Sequence, residues 1–245
     1  MTPDITSPLL TRSGYLLVDK PSGPTSYDVI RWIKRKINDV KIGHCGTLDP
    51  LASGLLIILL GRKATRIQSR FMSGKKVYRC KMKLGTKTDT GDITGRVVQK
   101  SNNEVAVNRL EVEEVLKRFL GKREQVPPMF SALKKDGVPL YKLARRGELV
   151  ARNPRTIEIE SIELLNFNPP AEIEFRLTCS GGTYVRVLVE EIGEELKYPA
   201  TMTGLVREGV GPYHLAEAVS GEKLKFMEGE EIWRLVKEVS GVWVE

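Results

Sequence analysis

Gly43-His44-Cys45-Gly46-Thr47-Leu48-Asp49-Pro50 is followed, after Leu51-Ala52-Ser53-Gly54, by Leu55-Leu56-Ile57-Ile58-Leu59-Leu60. The last six residues are apolar without alternation, which reads as a strand buried on both faces. The residues before them form a polar loop, Gly43 to Gly54. Its glycines let the backbone bend tightly or approach a ligand closely, and Pro50 biases Asp49 toward an extended backbone. Taken alone, Asp-Pro is a common turn starter, and Asp49 would be a turn former.

Upstream, Tyr15 to Val18 reads as a short strand, stopped by Pro21, Ser22, Gly23 and Pro24. Ser26 is placed to cap a helix running to about Ile37. Val29, Ile30, Ile33 and Ile37 share one face of it, and Arg31, Lys34, Arg35 and Lys36 give a basic outer surface. Downstream, Val77 to Leu84 alternates as a strand does, with Tyr78, Cys80, Met82 and Leu84 on one side. Leu110 to Leu120 is expected as a helix with the stripe Val112, Val115, Leu116 and Phe119. Gln125 to Arg146 is polar and basic and is broken by Pro127, Pro128, Gly137 and Pro139. Strands are expected at Thr156–Phe167, Glu172–Cys179 and Thr201–Arg207, with helices at Val185–Leu196 and Glu230–Val239. Regular βαβ alternation is missing, so the fold class is α+β with a mixed or antiparallel sheet.

The chain has 39 Lys+Arg against 31 Asp+Glu, a net charge of +8, which favours a polyanionic partner such as nucleic acid. Cys45, Cys80 and Cys179 are far apart, with no CxxC pair, against a disulfide framework and a structural zinc site. Met1 to Arg12 holds Pro3, Asp4 and Pro8 and reads as no signal peptide. The apolar run Leu55–Leu60 is too short to span a bilayer. A cytoplasmic protein with reduced thiols is expected.

Gly43 to Pro50 resembles the signature loop of the TruB family of pseudouridine synthases. Four further regions resemble that family in order: Gly14 to Ser26; Lys76 to Arg79 with Leu84 to Asp92; Gln125 to Ala132 with Leu140 to Arg145; and Gly182 to Arg186. The resemblance covers about residues 14 to 213. It implies a pseudouridine synthase fold: a mixed, mostly antiparallel central sheet flanked by helices, with an RNA-gripping insertion at about 125–146. Residues 1–13 are expected as a tail, 14–213 as the catalytic domain, and 214–245 as a short C-terminal segment without a complete PUA domain.

The implied reaction isomerises uridine 55 in the T-loop of tRNA, with no cofactor and no metal. The base must leave its stack to be reached. A carboxylate must then act at the sugar, as nucleophile, as stabiliser of a cationic sugar, or on a sugar proton. The resemblance gives this role to Asp49 and leaves the routes open. It makes Arg186 the cation beside Asp49, and Tyr78 the ring that stacks on the flipped base and takes a proton. Tyr184 and Leu205 would line the pocket, and His44 would hold the RNA loop open. Without the resemblance, Tyr78 and Leu205 read as core, Arg186 as a snorkelling residue and His44 as a loop histidine. Lys20 and Pro21 read as structural. Lys134, Lys135, Lys142, Arg145 and Arg146 are expected on RNA phosphates, and Phe130 stands where the family often has tyrosine.

The expected partner is the tRNA T-arm stem-loop, with no membrane, no obligate protein partner and a monomeric state. Three rivals are a guide-RNA-dependent pseudouridine synthase, a non-catalytic RNA-binding protein of the same fold, and a glycosidase that would release free base.

Overall fold

A computed structural model describes residues 12–239; the expected tail over residues 1–11 and the last residues, 240–245, lie outside the described residues. In chain order, the first elements are β1 (Gly14–Lys20), α1 (Ser26–Lys34), β2 (Ile42–Cys45), β3 (Ser53–Leu60), α2 (Arg62–Arg66) and α3 (Gln68–Ser73). Then come β4 (Lys76–Leu84), β5 (Thr86–Thr88), β6 (Val97–Lys100), α4 (Arg109–Lys117), β7 (Gly121–Gln125), β8 (Lys134–Lys135), β9 (Val138–Pro139) and α5 (Leu140–Arg145). The remainder are β10 (Arg155–Asn168), β11 (Glu172–Cys179), α6 (Val185–Glu195), β12 (Ala200–Val210), β13 (Tyr213–His214), β14 (Val219–Ser220), α7 (Gly221–Leu224) and α8 (Gly229–Leu235). The class is α+β with a mixed sheet, as its residue pattern requires. The chain divides into two compact units, one made of residues up to Lys75 together with those from Val206 onward, the other of Lys76–Leu205.

The first unit is built around β3. Its residues from Gly54 to Leu60 are all buried, as the unbroken apolar run predicts. β1 pairs antiparallel with β3 from Gly14↔Leu60 to Lys20↔Gly54. β2 covers the other edge antiparallel, and β12 pairs there in parallel at Val206↔Ser53 and Arg207↔Gly54. Leu17, Leu55, Ile57, Leu59, Phe71 and Tyr213 pack into one apolar cluster. The segment after Tyr213 returns to the free edge of β1. There β14 pairs in parallel at Val18↔Val219, and Tyr15 and Lys237 exchange backbone hydrogen bonds at 2.9 Å.

Three local expectations are corrected. The helix cap is Thr25, not Ser26: the Thr25 hydroxyl accepts from Asp28 N at 3.1 Å, and the Asp28 carboxylate accepts from Thr25 N at 2.9 Å. Asp28 three residues on completes a reciprocal pair that Ser26 cannot form. The loop from Gly43 begins as β2, because Ile42 to Cys45 find backbone partners along β3. The last helix stops at Leu235, since Lys237 is extended to meet Tyr15.

In the second unit, β4, β11, β10 and β7 form an antiparallel array. The β4 alternation holds: Tyr78, Cys80, Met82 and Leu84 are buried and Arg79, Lys81 and Lys83 are exposed. Val112, Val115 and Leu116 are the buried stripe of α4, with Phe119 buried just beyond it. The stretch after β7 folds on a small apolar cluster of its own, Met129, Leu140 and Leu143. Among the described residues no helix is long and apolar enough to cross a membrane.

Candidate active site

Asp49 follows β2 at the end of a loop that is tied at each step. Ser26, freed from capping, donates to Leu48 O at 3.1 Å and accepts from Leu48 N at 2.9 Å. Beyond Asp49, Gly23 N donates to Pro50 O at 2.7 Å and the Ser22 hydroxyl to Leu51 O at 2.8 Å. Ala52 N closes a turn on Asp49 O at 3.1 Å. Leu48 is buried and Asp49 is half-buried, so the carboxylate stands at the rim of a core rather than within it.

Two buried cations lie beneath this loop. Lys20 is fully buried and donates to Pro21 O at 2.8 Å and Pro24 O at 2.7 Å. Burial pushes its pKa down to about 8, the charge of Asp49 opposes that fall, and the charge of Arg207 adds to it. Arg207 is 1% exposed and bonds backbone carbonyls of the loop's two ends, Gly46 O and Leu55 O. His44, whose backbone carbonyl accepts from Gln68 Nε2 at 2.8 Å, is held below the usual imidazole range by burial and then by Arg207. Its ring is therefore neutral at pH 7, and its buried Nδ1 makes no hydrogen bond among the described residues.

The other candidates stand in the second unit. Tyr78 is 8% exposed on the inner side of β4, opposite Leu177 of β11. Tyr184 immediately precedes α6 with an extended backbone, and Arg186 sits in the first turn of that helix. Arg186 is 5% exposed, and its fork joins two loops: Nη1 donates to Thr90 O at 2.6 Å and Nη2 to Phe130 O at 2.7 Å. The Thr90 loop is itself tight, because Asp92 Oδ1 accepts from Thr94 N at 2.9 Å. Leu205 is buried on β12. Lys134 and Lys135 on β8, Lys142 and Arg145 on α5, and Arg146 just beyond it are all exposed, with Arg145 5.7 Å above the Tyr141 ring.

Within the first unit, then, His44 stands on β2 and Asp49 on the loop that follows it. Within the second, Arg186 is joined to the Thr90 and Phe130 loops, and the five basic residues share one small substructure. The residue pattern assigns no role to Gln125, whose amide brackets the Tyr184 main chain, and places Arg207 only at the end of an expected strand. Neither carries a local signal: Gln125 ends a strand of polar residues, Gly121–Gln125, and Arg207 is followed by Glu208. Among the described residues no three His, Cys, Asp or Glu side chains gather as metal ligands.

The TruB family pseudouridylate synthase family model (N terminal domain) matches residues 34–185, a span that carries the Asp49 loop and β4 and ends one residue before Arg186. The chain belongs to the TruB family. It is 46% identical over 219 residues to tRNA pseudouridine synthase B of Syntrophotalea carbinolica, covering 89% of this chain and 71% of that one. To tRNA pseudouridine synthase B of Bordetella pertussis it is 43% identical over 219 residues, covering 89% of each. Among solved structures, a Cbf5-Nop10-Gar1 complex superposes with a TM-score of 0.69 at 29% identity, over 97% of this chain and 66% of the other. An H/ACA RNP bound to a substrate RNA containing 2'-deoxyuridine gives 0.63 at 28% identity, over 92% of this chain and 58% of the other. The TruB-family chain thus spans less than two thirds of these solved chains and about 70% or more of the curated relatives. Its fold is that of the pseudouridine synthases.

Proposed function

We propose that this TruB-family chain isomerises uridine 55 in the T-loop of tRNA to pseudouridine, as a cytoplasmic monomer without a cofactor. The observation that carries the reading is the Asp49 loop: a half-buried carboxylate on a backbone fixed from both sides, within the region that matches the family. The bond from N1 to C1′ breaks and the bond from C5 to C1′ forms. The proton lost from C5 is balanced by the one gained at N1, so nothing is oxidised or released. Asp49 meets the sugar as the first bond breaks. Arg186, whose fork is already fixed on Thr90 O and Phe130 O, orients that carboxylate.

Tyr78 stacks on the extruded base and takes its C5 proton, while Tyr184 and Leu205 wall the pocket. His44, neutral and half-buried, holds the RNA loop open by contact rather than by charge. Lys134, Lys135, Lys142, Arg145 and Arg146 contact phosphates. Identity of 43–46% to enzymes named for tRNA, against 28–29% to the complexed synthases, favours the tRNA reading over a guide-RNA-dependent one. The test is incubation of an unmodified tRNA transcript with the protein alone, followed by nucleoside analysis and mapping. Pseudouridine at position 55 is expected. Free uracil would point to a glycosidase, and no product to a binding protein.

A further inference from the structure

Arg207 takes a permanent charge into the interior of the first unit. Its guanidinium does not lose its proton in a protein, so burial at 1% exposure must be offset by hydrogen bonds. Those bonds go to two carbonyls on either side of Asp49. Nη2 donates to Gly46 O at 3.0 Å, three residues before Asp49, and Nε to Leu55 O at 2.7 Å, six residues after it. The backbone of the same residue pairs in parallel with Gly54.

Two glycines of the loop are shaped around Arg207. Gly54 has φ +100°, and a Cβ there would run into the Arg207 main chain. Gly46 has φ +75°, and a Cβ there would lie 3.2 Å from Arg207 Nη1. Ser26, Gly23 and Ser22 each hold one short piece of the loop. Arg207 spans both of its ends with one side chain, and its charge is also felt at Lys20 and His44.

We propose that Arg207 is a positioning residue for the isomerisation. It touches no substrate atom, and it sets where the Asp49 carboxylate stands by fixing the loop's entry and exit together. The planar fork is required, because one nitrogen cannot occupy both donor positions. The inference rests on the assignment of Asp49 above.

The test uses Arg207→Lys and Arg207→Met in the full chain. Thermal melts first set a temperature at which each variant is folded; single-turnover rate at saturating tRNA and tRNA affinity are then measured separately. Affinity should hold while the rate falls on the order of 100-fold for Met, since a displacement of about 1 Å at a reacting group has that effect. Lys should recover only part of the loss. Gly46→Ala is the second variant: at φ +75° the added Cβ strains the backbone and also crowds the guanidinium, so it disturbs the loop entry that Arg207 holds, and it should slow turnover without weakening binding. If the Arg207 variants do not fold, Gly46→Ala decides. A folded variant that turns over at the parent rate overturns the inference, as does a rate that falls only in step with the folded fraction. Asp49→Asn is run beside them. If it is inactive while the Arg207 and Gly46 variants are active, positioning by Arg207 is wrong and the Asp49 assignment stands. If Asp49→Asn is active, the assignment fails and takes the inference with it.

Discussion

The Gln125 side chain grips the main chain of Tyr184 from both sides: Tyr184 N donates to Gln125 Oε1 at 2.8 Å, and Gln125 Nε2 donates to Tyr184 O at 3.2 Å. Gln125 ends β7 at 2% exposure, so these bonds satisfy both halves of a buried amide and fix the residue that leads into α6. Gln125→Leu fills the space but takes the acceptor from Tyr184 N, at a cost of about 1–3 kcal/mol, while Tyr184 O keeps the bond from Leu188 N at 3.2 Å. Urea unfolding should show the loss, and turnover should fall more than tRNA affinity. An unchanged midpoint would mean the amide is replaceable by water.

Arg186→Lys preserves charge but not reach. Lysine has one nitrogen where Thr90 O and Phe130 O each hold a separate guanidinium nitrogen. The expected single-turnover rate at saturating RNA is lower on the order of 100-fold, as for a small displacement at a reacting centre. A near-normal rate would show that the fork is not what places Asp49.

Lys20 gives a pH signature. Its pKa is pushed from 10.5 to about 8, chiefly by burial, with Asp49 opposing and Arg207 reinforcing the shift. Between those values the unfolded chain keeps the proton and the folded chain releases it, so this residue adds stability as pH rises from about 8 to 10.5. The difference in unfolding free energy between the parent and Lys20→Met should therefore grow in favour of the parent across that window. Parallel profiles for the two proteins would contradict the depressed value.

Salt tests the basic insertion. Replacing Lys134, Lys135, Arg145 and Arg146 by alanine should flatten the dependence of tRNA affinity on salt by roughly 0.7–0.9 for each phosphate no longer neutralised. The slope should not vanish, because basic residues of α1, among them Arg31 and Lys34, stand outside the insertion. A slope unchanged by the four substitutions would place that cluster in solvent.

Much of this fold was legible because burial leaves a period. β3 has no alternation and is buried from Gly54 to Leu60, β4 alternates and is buried on one side, and α1 hides Val29, Ile30 and Ile33. Apart from the local Thr25–Asp28 cap, what was missed depends on partners farther along the chain. The capping pair Thr25 and Asp28 outcompetes Ser26, which is then drawn to Leu48, and β2 exists only because β3 offers it an edge. Asp49 could be singled out by motif, but the hold of Arg207 on its loop could not, since 161 residues separate Arg207 from Gly46. Gln125 likewise meets Tyr184 across 59 residues, which no local pattern announces.

The most direct measurement is pseudouridine formation by Asp49→Asn on unmodified tRNA at saturating protein, beside the parent chain and with tRNA affinity measured in the same buffer. The substitution keeps the size of the side chain and removes its charge, and most of the affinity is expected from phosphate contacts elsewhere. Unchanged binding is expected, with pseudouridine at position 55 for the parent and none above background for the variant. Pseudouridine formed by Asp49→Asn at a rate comparable with the parent would contradict the assignment of Asp49.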